Sequence, residues 1–272
     1  MSLTPLIKHK YFFIKREDLN PTGSAKDRAI QAQISNLLAK NYTSAVISSS
    51  GNAAISAAHF CQKANIPLTV FVSPKINPKK LKLIKNYFVN IISSSKPISS
   101  AFQYSQTHHA YNLRQSTDPV AYIGYNQIGQ EIISQLPQVS SIFIPVGSGT
   151  TLYSIAQSTP KQVLIYAVQP ANNPTIASFF DKNYSPENFS STDSLSVKFT
   201  PLKQKIIKLL KARGGGLVIN DNFIQQQLTT LNNLSIKTCP ESAMAIAGLK
   251  KAKQLKIDIG QFPVVIFTGT KR

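Results

Sequence analysis

The feature that most constrains this chain is a repeated alternation of short apolar runs with segments of helical spacing. Residues 11–15 (YFFIK) form a β-type run, followed by the turn Asn20-Pro21-Thr22-Gly23-Ser24 and a helical pattern from Lys26 to about Lys40. A strand over 45–47 ends in Ser48-Ser49-Ser50-Gly51-Asn52 and leads into a helix of small residues, 53–64. Residues 66–72 (IPLTVFV) and 89–92 are further strands, with a helix over 79–87 between them. Residues 141–145 (SIFIP) precede a glycine loop and a helix from Thr151, and strands follow at 164–168 and 264–267. Buried strands of this length alternating with helices predict an α/β fold with mainly parallel sheets. The stretch from Ala171 to Thr200 is rich in Asn, Ser and Pro, and it reads as a long loop lying on the surface or covering a cleft.

Composition narrows the class. With 272 residues, 42% hydrophobic and 15% charged, the chain has too little charge for a disordered tail or a coiled coil. It contains no apolar run near the ~20 residues of a membrane helix, and Met1-Ser2-Leu3-Thr4-Pro5 lacks a signal-peptide core. A cytoplasmic protein is expected. Cys61 and Cys239 stand far apart without a CxxC, so neither a disulfide framework nor a zinc site is indicated.

The net charge of +19 favours anionic ligands in general: phosphate esters, carboxylates or nucleic acid. Lysines cluster at 79–85, 203–211 and 250–256, each time among apolar residues at helical spacing such as Leu202, Ile206, Leu209 and Leu210. They read as solvated faces of amphipathic helices. No recognition module or interleaving of aromatic and basic residues points to nucleic acid.

Ligands of open α/β sheets bind at the carboxyl ends of strands, and four such ends carry chemistry. Lys26 follows the 20–24 turn and falls in the first turn of a helix, where the dipole disfavours a charged ammonium. An amine there suits a Schiff base with an aldehyde, although a lysine at a helix start is also an ordinary surface residue. Ser49, Ser50, Gly51 and Asn52 combine backbone N–H groups, hydroxyls and an amide into a socket for a carboxylate. The same residues would also cap a helix. Gly147, Ser148, Gly149, Thr150 and Thr151 form a phosphate cup, which is neither a Walker loop nor a dinucleotide fingerprint. Thr268-Gly269-Thr270 ends the last strand with hydroxyls.

In this order, the four segments resemble the fold-type II family of pyridoxal phosphate enzymes, which includes threonine synthase, cysteine synthase, threonine dehydratase and the tryptophan synthase β chain. The resemblance runs from Thr4-Pro5-Leu6 to the Thr-Gly turn near the C-terminus. It implies that Lys26 binds pyridoxal 5'-phosphate covalently and that Asn52 hydrogen-bonds the ring hydroxyl. It also implies that Ser49, Ser50 and Gly51 grip the substrate carboxylate, that Gly147, Ser148, Gly149, Thr150 and Thr151 hold the cofactor phosphate, and that Thr268 faces the pyridine nitrogen. An uncharged hydroxyl there is consistent with elimination and replacement chemistry.

Among family members the run Arg16-Glu17-Asp18-Leu19-Asn20-Pro21-Thr22-Gly23-Ser24-Ala25-Lys26-Asp27-Arg28 looks most like threonine synthase, as does the Ser-Ala-rich stretch 239–248. The resemblance thus implies a lyase converting O-phosphohomoserine and water to threonine and phosphate, acting as a homodimer on a phosphorylated amino acid. The alternatives are cysteine synthase-like β-replacement, serine or threonine dehydration, and a non-catalytic binding protein on the same fold. Three residues depart from the family pattern: Ala25 replaces a bulky residue, Ala53 a threonine and Thr150 a glycine whose φ could have been positive. The expected organisation is a tryptophan synthase β-like pair of domains with the cofactor in the cleft between them. Residues 1–36 and 125–272 would make the larger domain, and 37–124 the smaller inserted one.

Overall fold

The computed structural model describes residues 2–192, 195 and 200–271. Its backbone divides into two compact units, one of residues 24–124 and the other of residues 2–23 with 125–271. Each is built on its own sheet.

The smaller unit holds a four-stranded, wholly parallel sheet in the order β5-β4-β3-β6. Its strands are β3 (Ala45–Ser48), β4 (Leu68–Val72), β5 (Asn90–Ser93) and β6 (Tyr111–Asn112), and its helices are α1 (Lys26–Ala39), α2 (Asn52–Lys63), α3 (Pro78–Lys85) and α4 (Pro97–Thr107). Ile30, Ile34 and Leu37 of α1 share a buried core with Ala54, Ala57 and Ala58 of α2 and with Ile47 and Val70. This shared core puts α1 with the smaller unit, whereas the organisation implied by the resemblance has residues 1–36 in the larger one. The small side chains of α2 let the two helices pack closely. The helix α5 (Pro119–Gln135) contains the junction between the units.

The larger unit holds a six-stranded sheet in the order β1-β2-β10-β7-β8-β9. Its strands are β1 (Leu6–His9), β2 (Phe12–Arg16), β7 (Ser141–Pro145), β8 (Leu164–Pro170), β9 (Gly214–Ile219) and β10 (Pro263–Phe267). All pairings are parallel except β1 with β2, so the expected α/β class with mainly parallel sheets is what the chain adopts. The helices α6 (Thr150–Gln157), α7 (Lys203–Ala212), α8 (Asp221–Asn233) and α9 (Pro240–Gln254) complete the unit. Residues 243–247 of α9 are buried together with Phe143, Val168, Leu217 and Phe267, which makes α9 the central helix of this core.

One sequence expectation gains detail and another changes. The 171–200 stretch, of which 193–194 and 196–199 lie outside the described residues, is pinned to the unit by buried polar contacts. Asp181 accepts the Val218 N–H at 2.8 Å, and Asp221 accepts the Ser191 N–H at 2.7 Å. Lys251, expected on a solvated face, instead donates to Asp181 at 2.6 Å, Asn183 O at 2.6 Å and Val218 O at 2.9 Å. Lys205, Lys208, Lys211, Lys253 and Lys256 are exposed, as amphipathic patterning requires. Among the described residues, no helix is long and apolar enough to cross a membrane.

Candidate active site

The larger unit gathers three of the chemically rich segments at one end of its sheet. The strands β2, β10 and β7 are neighbours and run parallel, with Phe267 opposite Arg16 and Val265 opposite Phe143. Their carboxyl ends therefore lead into the 17–23 turn, the Thr268-Gly269-Thr270 turn and the glycine loop 146–149. The chain moves outward from β7 to β8 and β9 and then returns to the other side of β7 as β10. The β7/β10 boundary is thus a topological switch point, the place where parallel sheets open a crevice for ligands.

At that boundary the glycine loop is tightly fixed. Val146 N–H donates to Val168 O at 3.0 Å, and the buried Gln169 amide donates to Val146 O at 3.1 Å. Gln169 Oε1 accepts the N–H groups of Ile176 and Ala177 at 2.7 and 2.9 Å, so one side chain ties the loop's entry to the 171–177 segment. Gln169 belongs to no motif, and the signal it carries in the sequence is a polar residue near the end of an otherwise apolar strand. Gly149 adopts φ +82, which favours glycine, and a Cβ there would have to displace the terminal Cδ1 methyl of Ile206. Thr150 is the first residue of α6, outside the left-handed region, so the threonine in place of a glycine does not strain the loop. Its hydroxyl lies 3.1 Å from that of Ser148. The loop thus presents hydroxyls and the first N–H groups of a helix, which lack intrahelical acceptors by geometry.

Thr268 is half-buried at the end of β10. The next carbonyl, of Gly269, accepts the Cys239 N–H at 3.1 Å, the Thr238 hydroxyl at 3.0 Å and the Ser242 hydroxyl at 3.4 Å. The start of α9 therefore holds the Thr268 turn in place. Burial pushes the Cys239 thiol well above its ordinary range, with the Glu241 charge acting in the same direction. The thiol is a packing group rather than a nucleophile.

The 17–23 turn rests on a buried polar network. Lys15, fully buried, donates to Glu131 Oε2 at 2.6 Å and to Thr4 O at 2.8 Å. The Thr4 hydroxyl donates to Glu17 at 2.5 Å, and Glu17 in turn accepts the Asn20 amide at 2.6 Å. Gly23 N–H closes the turn on Asn20 O at 2.7 Å. The loop before Lys26 is thereby fixed by residues whose purpose no local motif disclosed.

In the smaller unit, Lys26 is the first residue of α1, after Ala25, whose small side chain is buried. A Cβ on Gly124 would overlap Arg28 O, so the start of α5 presses directly on the backbone of the first α1 turn. The Ser24 hydroxyl is fully buried and has no hydrogen-bond partner among the described residues. Ser49, Ser50, Gly51 and Asn52 connect β3 to α2, with Gly51 as N-cap and Asn52 as the first helical residue. Gly51 N–H bonds Ser49 Oγ at 3.2 Å, and Ala54 N–H bonds Gly51 O at 3.0 Å. The segment is therefore a helix start whose residues stay half-open to solvent. Ala53 is buried in the core.

The family described as pyridoxal-phosphate dependent enzyme matches residues 2–269. The chain belongs to this family. Its cofactor is therefore pyridoxal 5'-phosphate, and the residues in hand fit it. In the larger unit, hydroxyls and a helix N-terminus surround the left-handed glycine. Among curated relatives, L-threonine ammonia-lyase of Geobacter sulfurreducens is 26% identical over 68% of this chain and 49% of its own length. Threonine synthase of Methanosarcina acetivorans is 25% identical over 96% of this chain and 70% of its own. This chain spans about half the length of the threonine ammonia-lyases it matches. Maize serine racemase superposes with a TM-score of 0.87 at 18% identity, over all of this chain and 89% of that one. The processed form of threonine deaminase isoform 2 from Solanum lycopersicum superposes at 0.84 with 19% identity, over 100% of this chain and 80% of that one. These structures establish the tryptophan synthase β-like fold.

Proposed function

We propose that this enzyme is a lyase of the threonine synthase type, converting O-phosphohomoserine and water to threonine and phosphate. The observation that carries this reading is the run Asn20-Pro21-Thr22-Gly23-Ser24-Ala25-Lys26-Asp27-Arg28, supported by similarity to a threonine synthase along 96% of the chain. In this reading Lys26 Nζ holds the cofactor and then moves protons at the substrate Cα and Cβ. Ser49, Ser50 and Gly51 bind the substrate carboxylate, and Asn52 bonds the ring hydroxyl. Gly147, Ser148, Gly149, Thr150 and Thr151 bind the cofactor phosphate, while Thr268 offers a neutral hydroxyl to the ring nitrogen. When bound, the cofactor supplies an electron sink for the carbanion at Cα. The lysine-rich surface favours the approach of a doubly anionic substrate.

A second reading, dehydration of threonine or serine, is favoured by the similarity to two threonine ammonia-lyases at 26% and 28% identity. It uses the same cofactor residues. One experiment separates the two: the purified protein with cofactor is given O-phosphohomoserine, threonine or serine in parallel. Phosphate and threonine formed from the first substrate support the proposal. Formation of 2-oxobutyrate from threonine, without phosphate release, replaces it by the second reading. In both cases Lys26→Ala abolishes the visible absorption band of the lysine-bound cofactor.

A further inference from the structure

Thr200 lies just before α7, and its carbonyl accepts the Lys203 N–H at 3.1 Å. The residue is 7% exposed, and its hydroxyl is buried with no hydrogen-bond partner among the described residues. Buried polar side chains of native proteins nearly always have a partner, so an orphaned hydroxyl calls for a reason.

Its surroundings supply one. Thr200 Cγ2 is 3.6 Å from the point a Cβ on Gly149 would occupy, and Ile206 Cδ1 stands closer still to the same point. Thr200 and Ile206 therefore wall in the left-handed glycine that turns the loop into α6. Within the loop, the Ser148 and Thr150 hydroxyls lie 3.1 Å apart, so one proton is committed between them. An oxyanion held there would take the remaining hydroxyl proton, helix N–H groups and any further donor within reach.

We propose that Thr200 is an additional cofactor-binding residue, whose hydroxyl donates to the phosphate held by the 147–151 loop while its methyl group seats Gly149. This rests on the reading above, in which that loop binds the cofactor phosphate. No sequence motif marks the residue, because it stands some fifty positions from the loop in a Phe-Thr-Pro-Leu run without glycines.

The test compares Thr200→Val, which keeps the shape and removes the hydroxyl, with Thr200→Ser, which keeps the hydroxyl. Each full-length protein is titrated with pyridoxal 5'-phosphate and, separately, with pyridoxal, which lacks the phosphate, and the visible band is followed. Thr200→Val should bind the phosphorylated cofactor about 10- to 100-fold more weakly, as befits a lost hydrogen bond to a charged group. Its affinity for pyridoxal should be unchanged, and Thr200→Ser should stay near the wild type for both. Circular dichroism of the apo Val variant should match the wild type. Wild-type affinity of Thr200→Val for the phosphorylated cofactor, or an equal loss for both compounds, overturns the assignment and leaves the cofactor reading standing. A wild-type protein that gives no band with either compound overturns that reading and the Thr200 assignment together.

Discussion

Lys15 and Glu131 meet at 2.6 Å, with the lysine side chain wholly buried and the carboxylate 14% exposed. They stand 116 positions apart, on β2 and α5, and through Thr4 and Glu17 the pair reaches the turn that precedes Lys26. Removing one member of a buried pair leaves the other charged and desolvated, which typically costs about 3–5 kcal/mol. Glu131→Gln should therefore lower the urea midpoint strongly. The double variant Lys15→Met/Glu131→Leu should recover much of the loss, and a fully additive double variant would show that the two groups do not interact.

Gly149 at φ +82 faces Ile206. Gly149→Ala should cost about 1–2 kcal/mol for the left-handed backbone, with Ile206 Cδ1 shifting to make room, and should weaken cofactor binding together with stability. Thermal melts of the apo protein and cofactor titrations measure the two effects. An alanine variant as stable and as tightly bound as the wild type would contradict the loop geometry.

Asp221 opens α8. Burial pushes its pKa up, but hydrogen bonds from the Ser191 N–H and from the Ser191, Gln225 and Ser190 side chains outweigh this, so the net value lies below the ordinary carboxylate range. A carboxyl depressed on folding adds stability that is complete above its unfolded value and is lost as pH falls through the folded one. Asp221→Asn should therefore be less stable than wild type at pH 7, with the gap closing as pH is lowered through and below the ordinary carboxylate value. Urea midpoints of both proteins across that range test the sign. A gap independent of pH would assign the effect to packing.

Cys61 and Cys239 are buried, with exposures of 1% and 7%. Burial raises the Cys61 thiol to about 12 and moves Cys239 upward as well. Neither thiol should react with a disulfide reagent in the folded protein, and both should react in denaturant. Rapid labelling of either under native conditions would refute the burial.

The alternation of apolar runs and helical spacing was enough to read most of the strands. Residues 141–145 form a strand with the expected bounds, and α1 begins at Lys26 as the turn before it required. The strand β9 was not legible, because Gly214-Gly215-Gly216 carries no hydrophobic pattern. It forms through pairing with Ile165, Tyr166 and Ala167 of β8. The β1 strand is likewise defined by its antiparallel partner β2 rather than by its own composition. Lys251 reads as solvated because spacing along one helix cannot register a carboxylate at Asp181, seventy residues away.

The sequence by itself determined the α/β class, the positions where strands give way to chemically rich turns, and, through the order of those turns, the cofactor family. Those properties are local: residue periodicity sets the elements, and a glycine or hydroxyl at a strand end is visible in a few neighbouring positions. The tertiary structure alone decided that the 147–151 loop and Thr268 share the β7/β10 switch point. It also decided that Glu131 supports the turn before Lys26, and that Thr200 reaches Gly149. These relationships depend on strand order and on packing between distant segments. Burial also gives them their strength, since a polar group removed from water must find its partner wherever the fold places one.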